Sequence, residues 1–341
     1  MPVRTFARRA LRLAAPLLAL ALMAGCTLQE YPQSTIHPRS DYALAIQKLL
    51  EQQVFWVVLI FVLVQGLLIV AVMRFRARPG APDPKPVHGN TVLEVAWTIA
   101  PALILAAVAV PTVLTIYQTQ GAPPPGAMTV KAIGHQWWWE FAYPEQGFTT
   151  GSEMHIPVGR PVLVEIETGD VLHSFWFPAM GGKRDAVPGH TNRMFFTPDT
   201  TGEFQGQCAE LCGEQHANMK MKLFVQTQAD FDAWVANQKS PALVPDSVAA
   251  VTAWEGRKIF AESGCVACHT ITGISEGIIG PNLNHVGSRT TIAGAMHPNT
   301  AEHLTHWIMA PDKMKPGTKM LNLGLAPEQA AAIVAYLQSL K

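Results

Sequence analysis

The sequence predicts a multidomain chain: a two-helix transmembrane hairpin, an all-β sandwich, and an all-α domain at the C-terminus. Three observations predict this. Residues 54–73 and 92–116 are apolar stretches long enough to cross a hydrocarbon core. Short runs rich in Val, Ile, Thr and aromatic residues, punctuated by Gly and Pro, fill the middle of the chain. Beyond residue 250 the pattern turns helical, with helices expected over 253–263 and 326–340.

The elements follow in order. Residues 1–25 place Arg4, Arg8, Arg9 and Arg12 before an apolar run and the small pair Ala24-Gly25, the pattern of a secretory signal peptide. Cys26 comes next and resembles a bacterial lipoprotein cleavage site, with Met23 where Leu is usual, so a lipid anchor on Cys26 is expected. Ordinary cleavage nearby is the alternative. Residues 26–50 form an extracytoplasmic segment, and the hairpin occupies 51–118. Arg74, Arg76, Arg78 and Lys85, opposed by Asp83, lie between the two spans. Positive loops stay in the cytoplasm, so everything after residue 118 is expected outside. Glu94 is the ionisable group of the second span, and Pro101 and Pro111 within it imply packing against protein.

Residues 119–240 form the second unit, opened by the stiff linker Gly121-Ala-Pro-Pro-Pro-Gly126. Runs at 128–133, 137–143, 161–167 and 193–197 read as strands of an antiparallel sandwich, with a short helix over 228–238. Strand alternation would put Trp137 and Trp139 on one face and Trp138 on the other. A second linker, 241–250, precedes the third unit, 251–341. The formal net charge is +0, which favours no nucleic-acid partner. Residues 119–240 carry 8 Lys+Arg against 13 Asp+Glu, and 251–341 carry 7 against 6. The middle unit is therefore acidic and would draw a basic partner.

The densest chemistry is the run Cys208-Ala-Glu-Leu-Cys-Gly-Glu-Gln-His-Ala-Asn-Met219, which places Cys208, Cys212, His216 and Met219 in one segment. Soft sulfur and imidazole ligands select copper, zinc or iron–sulfur centres, and a thioether beside two thiolates favours copper. His173 offers a further imidazole upstream. Three other readings stay open: a Cys208–Cys212 disulfide, one face of a helix, and a tetrahedral zinc site that leaves Met219 idle. Farther on, Cys265-Val-Ala-Cys268-His269 is the attachment signature of a c-type haem, two thiols forming thioethers and His269 serving as an axial ligand. The second axial ligand could be Met296, Met309, Met314, Met320, His285, His297, His303 or His306.

His173, the 35-residue step to Cys208 and the C-x-E-x-C-x-x-x-H-x-x-M spacing resemble subunit II of the haem-copper cytochrome c oxidases. The resemblance implies a cupredoxin-like sandwich with a binuclear copper (CuA) centre. Cys208 and Cys212 would bridge two coppers, His173 and His216 would each bind one, and Met219 and the Glu210 carbonyl would complete the shell. The Glu210 side chain would reach a magnesium ion shared with subunit I. Gly134-His-Gln-Trp137 implies that electrons enter at Trp137, and Glu94-Val-Ala-Trp-Thr-Ile-Ala-Pro-Ala102 implies a proton-pathway entrance at Glu94. Lys183-Arg184-Asp185-Ala-Val-Pro188-Gly189 resembles the segment that faces subunit I, with His190 where the family often has Arg. The C-terminal unit resembles a class I cytochrome c, whose Lys-Pro-Gly-x-x-Met loop makes Met320 the second ligand of haem c, with Leu321 where Pro is frequent.

The whole implies a caa-type arrangement: an oxidase subunit in a bacterial inner (plasma) membrane, with two spans and periplasmic C-terminal domains. Its partners would be oxidase subunits I and III and an external electron donor, a cytochrome c or an upstream quinol-oxidising complex. A copper chaperone, or a membrane-anchored shuttle serving another terminal reductase, are the alternatives.

Overall fold

A computed structural model of the chain describes residues 33–80, 86, 88–242 and 251–341. The signal peptide and Cys26 lie outside the described residues. Helices α1 (Asp41–Phe75) and α2 (Thr91–Gln120) are long and apolar enough to cross a membrane by length and composition. At 1.5 Å per residue they run to about 52 and 45 Å, more than a hydrocarbon core requires. The surplus in α1 is at its start, ahead of the apolar stretch, and it docks on the sandwich. Ser40 caps the helix by accepting from Ala43 N (3.1 Å) and donates to Met180 O (2.6 Å), while Asp41 accepts from Thr197 N (2.7 Å). The Tyr42 ring lies flat on Gly181, where an added Cβ would stand 2.2 Å from it. The hairpin is thus held to the next unit by side chains as well as by the chain.

Ten strands build that unit: β1 (Met128–His135), β2 (Trp138–Tyr143), β3 (Phe148–Gly151), β4 (Glu153–Pro157), β5 (Val162–Thr168), β6 (His173–Trp176), β7 (Arg184–Ala186), β8 (Asn192–Phe196), β9 (Gly202–Cys208) and β10 (Lys220–Gln226). They form two five-stranded sheets, ordered β3-β2-β1-β5-β8 and β4-β10-β9-β6-β7. Period-two alternation sends Met128, Val130 and Ala132 of β1, Val162, Val164 and Ile166 of β5, and Met221, Leu223 and Val225 of β10 into one core. Each large side chain so buried stabilises by about 2 kcal/mol.

The sheets are mixed rather than purely antiparallel. β1 runs parallel to β5, and β4 parallel to β10. The cause is that the chain leaves the first sheet after β3, adds β4 to the second, and returns as β5 beside β1. The tryptophan run also departs from simple alternation. The β1–β2 turn falls on Gln136 and Trp137, with His135 paired to Trp138 and Gly134 to Trp139. Trp137 is therefore outside the strand. Trp139 is fully buried, and Trp138 stacks on His135 with centroids 4.6 Å apart.

Helix α3 (Gln228–Lys239) closes the sandwich, placing Trp234 against His155. The C-terminal domain is made of α4 (Val251–Glu262), α5 (Ala301–Met309), the short α6 (Pro311–Met314), α7 (Pro327–Ser339) and two small strand pairs. Gly256 lets α4 cross α7 closely, since a Cβ there would meet Ala332 O at 1.9 Å. Phe260, Ile333, Tyr336 and Leu337 form the core beneath that crossing.

The two domains share an ordered interface. Glu153, 2% exposed at the start of β4, accepts from Thr290 N and Oγ1 and from Thr291 N and Oγ1 at 2.7–2.9 Å. Four donors on one carboxylate make this a strong joint.

His155 yields a test of the sandwich. Its ring lies between Trp234 and Phe224, at 4.1 and 4.6 Å, and its Nδ1 donates to Gln226 Oε1 at 3.0 Å. Burial pushes the imidazole from 6.5 down to about 4, against the Gln226 bond. The unfolded chain therefore binds a proton that the folded chain refuses, and stability falls as pH drops through this window. Between about pH 6.5 and pH 4 the loss is roughly 3 kcal/mol. Thermal unfolding of the full chain in detergent should show the His155→Phe variant less acid-sensitive by about that amount. Equal acid sensitivity in the two chains would contradict it.

Candidate functional site

The chemistry-bearing run folds around one point at the end of the sandwich. β9 delivers Cys208 at its last residue, a loop carries Cys212, a 3-10 turn (His216–Asn218) follows, and β10 begins just after Met219. The neighbouring strand β6, paired to β9 through Phe175 and Cys208, brings His173 alongside. Cys208 Sγ lies 3.9 Å from His173 Nδ1 and 3.7 Å from Cys212 Sγ. Cys212 Sγ lies 3.7 Å from His216 Nδ1 and 3.8 Å from Met219 Sδ. Cys208 Sγ also donates to the Glu210 carbonyl at 3.3 Å. Six sequence-selected groups are thus brought together, with His173 and Met219 fully buried and both sulfurs nearly so.

The open readings can be weighed on this geometry. A disulfide holds its sulfurs about 2.05 Å apart, whereas Cys208 and Cys212 are both free. The 209–215 segment is a loop, so no helix face is formed. Met219 reaches the donor set, which a four-ligand Cys/His zinc site would leave out. The two thiols are electrostatically unlike. The Cys212 contact and the His173 imidazole push the Cys208 thiol down, while the same Cys208 neighbour pushes Cys212 up. Burial alone would lower His173; the Cys208 sulfur and the Asp170 carboxylate outweigh it and raise it. Asp170 Oδ1 holds His173 Nε2 at 2.8 Å and so leaves Nδ1 toward the sulfurs.

The second group of residues lines a cavity of about 400 Å³ between the two domains. Cys265, Cys268 and His269 stand on one wall. His269 Nδ1 donates to Pro281 O at 2.9 Å, which leaves Nε2 for a ligand bond. Burial pushes His269 down, against the Pro281 bond, and favours the neutral ring that binds metals. Of the eight candidate second ligands, Met320 lines the cavity and the other seven do not. Ile278, Leu283, Val286, Ile292, Leu304 and Ile308 supply an apolar lining of the kind a porphyrin face needs. The donor sets and the cavity thus suit a soft metal centre and a covalently held haem.

Trp137 joins the two places. It lines the haem-sized cavity, and its indole N–H donates to Cys212 O at 3.0 Å, a carbonyl that also accepts from Gln136 Nε2 at 2.8 Å. Glu94 is elsewhere, in the first turn of α2, some 26 residues and about 39 Å along the helix from Gln120. Sequence reasoning missed three groups. Asp170 carried a signal, a carboxylate three residues before a ligand-type His. Arg289 is half-buried on the cavity wall, where desolvation pushes its guanidinium down to about 10 against the pull of Glu153. Lys315 was visible only as part of the Lys-Pro-Gly loop, yet it is 2% exposed, and burial pushes its ammonium down to about 7 against the pull of Cys212.

Comparison with known proteins agrees with this architecture. The chain matches the family models for the cytochrome c oxidase subunit II transmembrane domain over residues 36–114, its periplasmic domain over 147–226, and cytochrome c over 253–341. It is similar to cytochrome c oxidase subunit 2 of Alkalihalophilus pseudofirmus, 37% identical over 334 residues that span 96% of each chain. The subunit 2 of Bacillus sp. strain PS3 is also 37% identical, over 78% of this chain and 80% of that one. The crystal structure of the periplasmic domain of subunit II from Bradyrhizobium japonicum is 37% identical over 35% of this chain and 97% of that one, with a TM-score of 0.34. Sharing that identity over nearly its whole length, and matching the membrane, periplasmic and cytochrome c models in order, this chain belongs to the cytochrome c oxidase subunit II family.

Proposed function

We propose that this chain is the electron-receiving subunit of a respiratory cytochrome c oxidase, relaying electrons that reduce oxygen to water in subunit I. The family implies a copper centre, and the cytochrome c domain implies a haem. The observation that carries the reading is Trp137, which lines the cavity beside Cys265, Cys268 and His269 while its indole N–H holds the carbonyl of Cys212. One side chain touches both candidate redox sites.

When bound, the two groups would supply one-electron chemistry between an external donor and subunit I. The residues supply the frame. Cys265 and Cys268 would hold the haem covalently, and His269 and Met320 would bind its iron. Cys208, Cys212, His173, His216 and Met219, with the Glu210 carbonyl, would hold the copper centre. Asp170 orients His173, and the β6–β9 pairing holds its strand against Cys208, so these groups are mounted on a rigid sandwich.

The chain is anchored by two spans and assembles with other oxidase subunits. We place it in a bacterial inner membrane with its redox domains in the periplasm, against subunits I and III, and with a cytochrome c or a quinol-oxidising complex as donor. Glu94 would mark the entrance of a proton pathway. Among the described residues the Glu210 carboxylate engages no partner, which leaves it for a magnesium ion shared with subunit I. The complex purified through this chain should contain a large haem-copper subunit, and this chain should hold two coppers for each covalent haem. One labile copper, or a chain without haem, would overturn the relay. Trp137→Phe should keep the copper content and slow transfer between the centres about tenfold; an unchanged rate would remove Trp137 from the path.

A further inference from the structure

Lys315 has an unusual environment for an ammonium group. It is 2% exposed, and among the described residues it has no carboxylate partner. Its Nζ donates instead to three backbone carbonyls, Trp137 O (2.7 Å), Asn218 O (3.0 Å) and Ala293 O (3.0 Å). The three come from separate places: the β1–β2 turn, the copper loop between His216 and Met219, and the wall of the haem cavity. An ammonium has three donors, and all three are used. Burying a cation is costly unless its partners are well placed, so this site demands that the three segments meet at one spot.

Two further observations point the same way. The segment that accepts at Ala293 is strained: Ala293 and Ala295 hold φ of 56° and 58°, on either side of Gly294 at 76°. Non-glycine residues adopt that region at a cost and hold it where surrounding structure imposes it. These residues form the turn between the paired Thr291–Ile292 and His297–Pro298, and at its tip Gly294 O accepts from Lys220 N at 3.1 Å across the domain boundary. Lys315 also opens the loop that ends in Met320, and that loop is tied locally by Lys315 N to Pro311 O (2.8 Å) and Thr318 N to Lys315 O (3.0 Å).

We infer that Lys315 is a positioning residue for electron transfer, fixing Trp137, the copper loop and the Met320 loop at one separation. The inference rests on the relay proposed above. Glu153 holds the other edge of the same interface and touches none of these three segments. It therefore separates positioning from mere docking.

The test uses the purified oxidase complex with Lys315→Met, which keeps the side chain's length and removes its donors. Amide exchange of Lys220 should rise at least about tenfold, while Thr290 and Thr291 stay protected by Glu153. Flash-initiated transfer from haem to copper should slow at least about tenfold, with both absorption spectra and direct copper reduction by a small soluble donor unchanged. Lys315→Arg, which restores donors, should recover part of the rate. Glu153→Gln should give the opposite pattern, with Thr290 and Thr291 exposed and transfer slowed less than in Lys315→Met. Transfer in Lys315→Met within about twofold of the parent, an unmoved Lys220 amide, or equal slowing in Glu153→Gln would overturn the assignment. A complex without copper or haem would instead defeat the relay itself, and the Lys220 exchange measured on that metal-free chain would still decide the role of Lys315.

Discussion

The structure depends on one closed loop. Cys208 N donates to Met219 O at 2.9 Å, and Ala209 N donates to Ser174 O at 3.0 Å. The first bond joins the end of β9 to the residue before β10, so the intervening segment must turn back on itself. The second ties that loop to the strand bearing His173. Together they force two sulfurs, two imidazoles and a thioether into one buried volume. No donor in the set is free to wander, because each is within a few residues of a sheet ladder. The fold itself thus assembles the donor set, with each sulfur already beside an imidazole.

The haem-sized cavity belongs to neither domain alone. Its attachment cysteines and His269 come from the C-terminal domain, while Trp137, Trp138 and Asp170 come from the sandwich. A relay between the two sites therefore need not wait for a tethered domain to find its partner. The buried joints at Glu153 and Lys315 hold it there, and the exposed pair Lys319–Asp170 at 3.3 Å adds little. Joints made of hydrogen bonds to a buried carboxylate and a buried ammonium are specific in geometry rather than large in apolar area, which suits an interface whose purpose is a fixed distance.

Much of this was legible in the sequence. The two spans announce themselves by length and lack of charge, and the C-x-x-C-H and C-x-E-x-C-x-x-x-H-x-x-M spacings carry chemistry that survives any choice of register. What was hidden depended on the third dimension. Period-two alternation misplaced Trp137 because a strand pattern cannot say where the hairpin turns. The short, turn-punctuated strands also suggested antiparallel sheets, since a crossover between sheets leaves no local mark. Lys315 is an ordinary polar residue in sequence, and only the packing of distant segments removes it from water. Met320 illustrates the middle case: eight side chains could serve chemically, the Lys-Pro-Gly-x-x-Met spacing preferred one, and the cavity is lined by that one.

The central claim is that Cys208 and Cys212 hold two metal atoms as one electronic unit. Electron paramagnetic resonance of the copper-loaded full chain tests it most directly. The account predicts a hyperfine pattern from one unpaired electron shared equally by two copper nuclei, abolished when Cys212 is replaced by Ser. A pattern from a single copper nucleus, or a Cys208–Cys212 disulfide that takes up no copper after reduction, would contradict it.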